Sequence, residues 1–179
     1  MKRILVPTDF SEQAENALKV AAQLAKKNES EIYVLNSLEL PTHLSSSGAN
    51  GAMPESLFFI KLAEKYFEEL LKKPYLEGLL IHEAIIGHGE VYKDVNEVVK
   101  EKNIDLVIMG SQGTNGFMEL FIGSNTEKVV RTSEIPVLVI KNNHEDFKVD
   151  NFVYATDFSE ECKIPFNQAK KFAEETNTH

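Results

Sequence analysis

Four continuous apolar runs punctuate the chain, at Ile4 to Val6, Ile32 to Leu35, Leu106 to Met109 and Val137 to Ile140. A fifth, Leu79 to Ile86, is interrupted only by His82 and Glu83. Runs without polar alternation suit strands buried on both faces, as in parallel sheets. Between them the period is helical. Ala14, Ala17, Leu18, Ala21, Leu24 and Ala25 form one stripe of mostly small residues, with Ser11 placed to cap a helix beginning at Glu12. Phe59, Leu62, Ala63, Tyr66, Phe67, Leu70 and Leu71 form a second, on a helix started by Pro54 and ended by Pro74. Val91, Val95, Val98 and Val99 form a third. A fourth helix is predicted through Thr126 to Arg131, capped by Ser124 or Asn125. Strand and helix in alternation, joined by short connections, predict an α/β fold: an open five-stranded parallel sheet with right-handed crossovers and helices on both faces. The longest breaker segment, residues 41 to 54, is rich in Ser, Gly, Asn and Pro and predicts a mobile loop that could close over a ligand or be a permissive insertion.

Composition narrows the classes. With 42% hydrophobic and 26% charged residues in 179, the chain can bury the core of one ordinary domain but not of two. No apolar run reaches the ~18 residues of a membrane helix, and Met1-Lys2-Arg3 leads straight into a strand, so a cytoplasmic protein is expected. The single cysteine, Cys162, rules out an intramolecular disulfide and agrees with a reducing compartment. A net charge of −9 argues against a nucleic-acid backbone as main partner. It does not argue against a nucleotide, whose phosphates can be held by amides and a helix dipole.

Candidate chemistry concentrates in residues 105 to 125, DLVIMGSQGTNGFMELFIGSN. An apolar strand ends at Gly110, Gly113 follows, and Gly123 stands directly before Ser124 and a helix start. Loop amides and the first N–H groups of a helix make an anion site, and glycine allows close approach or φ > 0. The stretch therefore predicts a phosphate cradle, with a plain glycine turn as the alternative. A Walker-type loop is disfavoured by the missing lysine and the spacing at Gly123-Ser124, and Gly87-His88-Gly89 lacks the third small residue of a dinucleotide fingerprint. Asp9 stands in the turn at the carboxyl end of the first strand, either as a turn aspartate or as a ligand contact.

The spacing of Gly110, Gly113 and Gly123-Ser124, the closing run Pro136 to Ile140 and the opening Ile4 to Ser11 together resemble the universal stress protein family over about residues 2 to 141. That resemblance implies a Rossmann-like sheet of order 3-2-1-4-5 and a cleft between strands one and four. It also implies ATP as ligand, with Pro7, Thr8, Asp9, Ser37 and Met109 around adenosine and Gly110, Gly113, Gly123, Ser124 and Asn125 on phosphate and ribose. Ser37 would act through its main chain, and so would Asn125, which departs from the apolar residue commoner there. Magnesium enters only as a companion of the ATP phosphates. The closing strand, by the same resemblance, is a two-fold dimer edge.

After Lys141 comes a polar linker, residues 142 to 150, and then a repeat of the opening. Thr8-Asp9-Phe10-Ser11-Glu12 returns as Thr156-Asp157-Phe158-Ser159-Glu160, and the first helical stripe returns as Cys162, Pro165, Phe166, Ala169, Phe172 and Ala173. The expectation is one complete domain over 1 to 141, followed by the first strand and helix of an incomplete second domain over 151 to 179, as in a truncated tandem protein. The apolar face of that segment and the edge strand Val137 to Ile140 predict a homodimer.

Other polar residues carry less. The five histidines are scattered, Ile86 stands where a zinc helix beginning at His82-Glu83 needs its second histidine, and no metal cage is expected. Cys162 has no histidine partner in view and reads as a small hydrophobe. No paired carboxylates, nucleophile-base pair or His-x-Gly-His segment supports a transferase, so the sequence predicts no catalytic residue and at most slow ATP hydrolysis. Two readings remain, an ATP-dependent regulatory module of the stress response and a nucleotide-independent interaction module.

Overall fold

Alternate residues of each apolar run go to opposite sides of one sheet. The computed structural model describes residues 1–38, 52–111 and 122–176, with backbone alone at 52–56 and Glu83. The strands are β1 (Arg3–Pro7), β2 (Glu31–Ser37), β3 (Ile81–Gly87), β4 (Leu106–Gly110) and β5 (Val137–Ile140). All pair in parallel, in the order β3-β2-β1-β4-β5. This is the expected doubly wound sheet. The helices are α1 (Glu12–Asn28), α2 (Ala52–Leu70), α3 (Val91–Lys102), α4 (Ser124–Thr132) and α5 (Lys163–Thr176).

Two cores follow from the period of two. Ile4, Val6, Ile32, Val34, Leu106 and Ile108 meet α1 and α2 on one face. Leu5, Tyr33, Leu35, Val107 and Met109 meet Val95, Val98 and Val99 of α3 and Val129 of α4 on the other. A strand with both faces covered has no room for a polar position, which is why these runs lack alternation. The edge strand β3 is different: it starts at Ile81, later than its apolar run, and Leu80 is left 58% exposed. His82, which interrupts the run, packs edge-on to the Tyr33 ring at 5.3 Å between centroids.

Helix termini show both expected and unexpected chemistry. Ser11 caps α1, its hydroxyl accepting from Ala14 N at 3.2 Å. The carboxyl ends of α1 and α3 are closed by left-handed Glu29 (φ 53) and Asn103 (φ 52), whose N–H groups reach Ala25 and Val99 carbonyls. No glycine marks either stop. Of the expected α2 stripe, Ala63, Phe67 and Leu70 are buried, whereas Phe59, Tyr66 and Leu71 stay at the rim. Residues 52–54, expected at the end of the mobile loop, already belong to α2, and the rest of that loop, 41–51, lies outside the described residues.

The C-terminal segment departs from expectation. No strand forms over 151–159. A strand needs a neighbour, and β5 pairs with β4 while its outer edge takes up no described strand. A single 3-10 turn, Glu160–Cys162, leads into α5. Phe172 of α5 packs against the α1 and α2 core, and the Met1 amino group binds Glu175 at 2.6 Å. Phe158 and Val153, by contrast, are 91% and 89% exposed.

The repeated motif nevertheless folds the same way twice. In the first copy Phe10 is left-handed (φ 61), its N–H bonds Thr8 Oγ1 at 3.0 Å, and Ser11 N–H bonds Asp9 Oδ1 at 3.0 Å. In the second, Phe158 has φ 62, with the matching bonds to Thr156 Oγ1 and Asp157 Oδ1 each at 2.9 Å. Thr-Asp-Phe-Ser is thus a locally encoded turn, driven by side chains that bond their own backbone. The Ser159 backbone and side chain, followed by the Cys162 thiol, hold the Asp157 carboxyl down at about 2 against an ordinary 3.8. A depressed carboxyl supports the turn above its ordinary value and loses that support as pH falls through about 2. Titration of the Asp157 carboxyl by NMR should therefore find a midpoint near 2, and a midpoint near 3.8 would show that the second turn does not form.

Candidate nucleotide site at the switch point

The strand order reverses direction at β1, between β2 and β4, and in open parallel sheets that crevice at the carboxyl ends is where ligands bind. Three of the expected residues leave β1 there. Pro7 is its last, buried residue, Thr8 is 8% exposed and Asp9 is exposed. Thr8 is fixed on three sides: its N–H reaches Leu35 O at 2.8 Å, its hydroxyl accepts from Phe10, and its carbonyl accepts from Asn36 Nδ2 at 2.8 Å. Asn36 is itself buried, and sequence reasoning passed over it. A buried asparagine at a strand end was the available signal, because such a polar group needs a partner. Phe10 seals the turn from the helical side against Tyr66 and Phe67, at 5.1 and 5.2 Å between rings.

Across β1, the end of β4 and the start of α4 are sewn together. Gly110 O accepts from Thr126 Oγ1 at 2.9 Å, Gly123 N–H reaches Ser111 O at 2.6 Å, and Ser111 N–H reaches Ile140 O at 2.9 Å. The two ends of the intervening segment therefore meet. Gly113 falls inside that segment, at 112–121, and lies outside the described residues. Thr126, buried in the first turn of α4, and Ser111 complete this join and were not singled out by the sequence.

Two expectations for the glycines are corrected. The cap of α4 is Gly123, not Ser124 or Asn125, and it makes no side-chain hydrogen bond because it has no side chain. Ser124 and Asn125 are instead the first exposed residues of the helix. Gly123 lies at φ −58, which any residue adopts, so no left-handed requirement explains it. Gly110 is explained by packing: a Cβ there would lie 2.8 Å from Gln13 O and 2.9 Å from Gln13 C, in the first turn of α1. Gly87 differs, because a Cβ there would meet only the Asp94 carboxylate, the movable end of a side chain, so packing does not demand glycine at that position.

What the crevice offers can be stated from these facts. α4 presents a first turn without a side-chain cap, and such a turn carries partial positive charge. Asp9 stands exposed in the turn after β1, and Ser37 ends β2. Met109 is only 5% exposed, and its side chain belongs to the α3 and α4 core. His88 is exposed in the turn before α3. A separate hollow, lined by Gln23, Lys27, Phe147 and Asp150, sits towards the carboxyl end of α1 and so away from this edge. Among the described residues, no three His, Cys, Asp or Glu side chains gather to hold a metal ion, and no helix is long and apolar enough to cross a membrane.

A doubly wound parallel sheet with an uncapped helix start at its switch point defines a nucleotide-binding-like α/β protein. Comparison with known proteins makes the class specific: the chain belongs to the universal stress protein family, whose model matches residues 1–141. Universal stress protein MJ0577 of Methanocaldococcus jannaschii is 34% identical over 158 residues, covering 80% of this chain and 96% of the relative. A solved structure of MJ0577 superposes with a TM-score of 0.67 at 29% identity, covering 80% of this chain and 98% of that one. Universal stress protein YxiE of Bacillus subtilis is 27% identical over 153 residues, with 78% and 98% covered. A universal stress protein solved in complex with cAMP shares the fold at a TM-score of 0.55 and 18% identity, covering 78% of this chain and 96% of that one.

Gly110 separates packing from ligand binding. Gly110→Ala should destabilise the fold by about 1–3 kcal/mol, since it presses a methyl group on backbone atoms. Gly123→Ser should instead stabilise by a few tenths, ~0.3 kcal/mol, by adding a cap oxygen. Urea denaturation of both variants checks the pair.

Proposed function

We propose that the protein binds an adenine nucleotide, ATP with its magnesium, at the switch point, and acts as a nucleotide-dependent regulatory module of the stress response. The observation that carries this is the uncapped start of α4, held against the end of β4 by the 2.6 Å Gly123 to Ser111 hydrogen bond. In this reading Gly110, Gly113, Gly123, Ser124 and Asn125 present backbone to phosphate and ribose. Pro7, Thr8, Asp9, Ser37 and Met109 surround the adenosine. Magnesium arrives with the phosphates and keeps its own water, so few protein ligands are asked for. The related protein solved with cAMP supports an adenine nucleotide as the ligand class. The proposal is of a binder, with slow ATP hydrolysis as its upper limit.

A nucleotide-independent interaction module is the second reading, favoured by one observation: close packing of α1 already accounts for Gly110. Calorimetric titration with magnesium ATP decides between them, using the parent and a Gly113→Val, Gly123→Val double variant. At Gly123 the backbone suits valine, so what the β-branched side chain removes there is close approach by a ligand. Binding in the parent that is lost in the folded variant supports the nucleotide module. No heat and no thermal shift in the parent would favour the interaction module.

We also infer a homodimer, through the outer edge of β5, through residues 151–179, or both. Support comes from the outer edge of β5, which pairs with no described strand, and from Phe158 and Val153, which stand in water. The segment 151–179 is read as the opening of a second domain on the strength of its copied turn. Light scattering at micromolar concentration should give twice the mass of the chain, and a monodisperse monomer would overturn the inference.

A further inference from the structure

The Thr-Asp-Phe-Ser turn occurs twice with one backbone, yet its phenylalanine meets opposite surroundings. Phe10 lies against Tyr66 and Phe67 of α2, at 5.1 and 5.2 Å between rings. Phe158 has the same left-handed backbone and the same two turn bonds, but it stands in water and no described ring packs on it. The second turn therefore holds an aromatic ring outward on a backbone already set, which lowers the ordering cost of docking it. The first turn shows what receives such a ring: an aromatic stripe on a helix.

The helix α2 carries more of that stripe than Phe10 covers. Phe59, Leu62 and Tyr66 stand at i, i+3 and i+7 on one side of it, and Phe10 takes only the Tyr66 end. Two turns back, about 10 Å along the helix, Phe59 is 40% exposed and Phe58, 5.7 Å from it between rings, is 62% exposed. Adjoining exposed aromatics of this kind mark an interaction surface, whereas apolar residues scattered singly need no explanation. The charges beside the two features are opposite in sign. Exposed Asp157 and Glu161 flank Phe158, and exposed Lys61 and Lys65 follow Phe58 at i+3 and i+7.

We propose that the Phe58 and Phe59 end of α2 is a docking surface for Phe158 of a second copy of the chain. Each copy lends its second turn to the part of the other's stripe that the first turn leaves uncovered, so the contact is made twice about a two-fold axis. This rests on the homodimer reading above and names the surface that the dimer uses, α2 rather than the edge of β5.

Photo-cross-linking of the full chain tests the contact, with benzoylphenylalanine in place of Phe158 and labelled and unlabelled copies mixed in equal amounts. Cross-links between a labelled and an unlabelled chain should fall on residues 57–66 of α2. In sedimentation equilibrium, Phe158→Ser and Phe59→Ser should each weaken dimerisation roughly tenfold or more, the scale of one central aromatic anchor, and the double variant should be little worse than either. Both positions are exposed, so thermal unfolding should show each variant folded. Cross-links to the β5 edge of the other copy, or a dimer unmoved by either substitution, would overturn the α2 contact while leaving the homodimer standing. A parent that sediments as a monomer, with cross-links confined to one chain, would overturn both.

Discussion

The carboxyl edge of this protein depends on how closely the first turn of α1 is laid against the end of β4. The approach is so near that no side chain fits at position 110, where a Cβ would stand 2.8 Å from the Gln13 carbonyl. With α1 set there, β4 has to turn away, and the bonds of Ser111 to Ile140 and of Gly123 to Ser111 fix where the chain returns as α4. The same placement of α1 brings its cap, Ser11, and the Thr8-Asp9-Phe10 turn to the mouth of the crevice. One packing contact thus orders both walls of the site. The small residues of the α1 stripe, Ala14, Ala17, Ala21 and Ala25, are what permit it.

That constraint also separates the two meanings of a glycine-rich signature. Gly110 is needed by the fold whether or not a ligand ever arrives, whereas Gly123 has an ordinary backbone and no side chain to cap the helix behind it. A serine or aspartate at the cap would satisfy the first-turn amides from within. Leaving them uncapped keeps the helix start open to an outside anion, at a small cost in helix stability. Gly123, more than Gly110, is the glycine that a phosphate site would need.

Most of the architecture was legible because it follows from local rules. Apolar runs without alternation predicted strands covered on both faces, and Ser11 predicted its own cap bond. The order of the strands came from family resemblance, since periodicity says nothing about which strands are neighbours. What escaped reading depends on tertiary contact. Glu29 and Asn103 end helices in the left-handed region without the usual glycine, and Thr126 turns inward to the Gly110 carbonyl. The strand expected after residue 150 pairs with no described strand, while the turn that follows it forms unaided because its bonds are internal. A main-chain site leaves little trace in residue type, and only the fold shows that Asn36 holds the Thr8 carbonyl.

The central claim is that ligand binding is confined to the crevice where β1 parts β2 from β4. Amide chemical shifts followed during titration with magnesium ATP test it most directly. The account predicts that shifts concentrate at Thr8 to Phe10, Ser37, Ser111 and Gly123 to Thr126, with the hollow near Lys27 and Phe147 unmoved. Shifts centred on that hollow, or on α5, would contradict it.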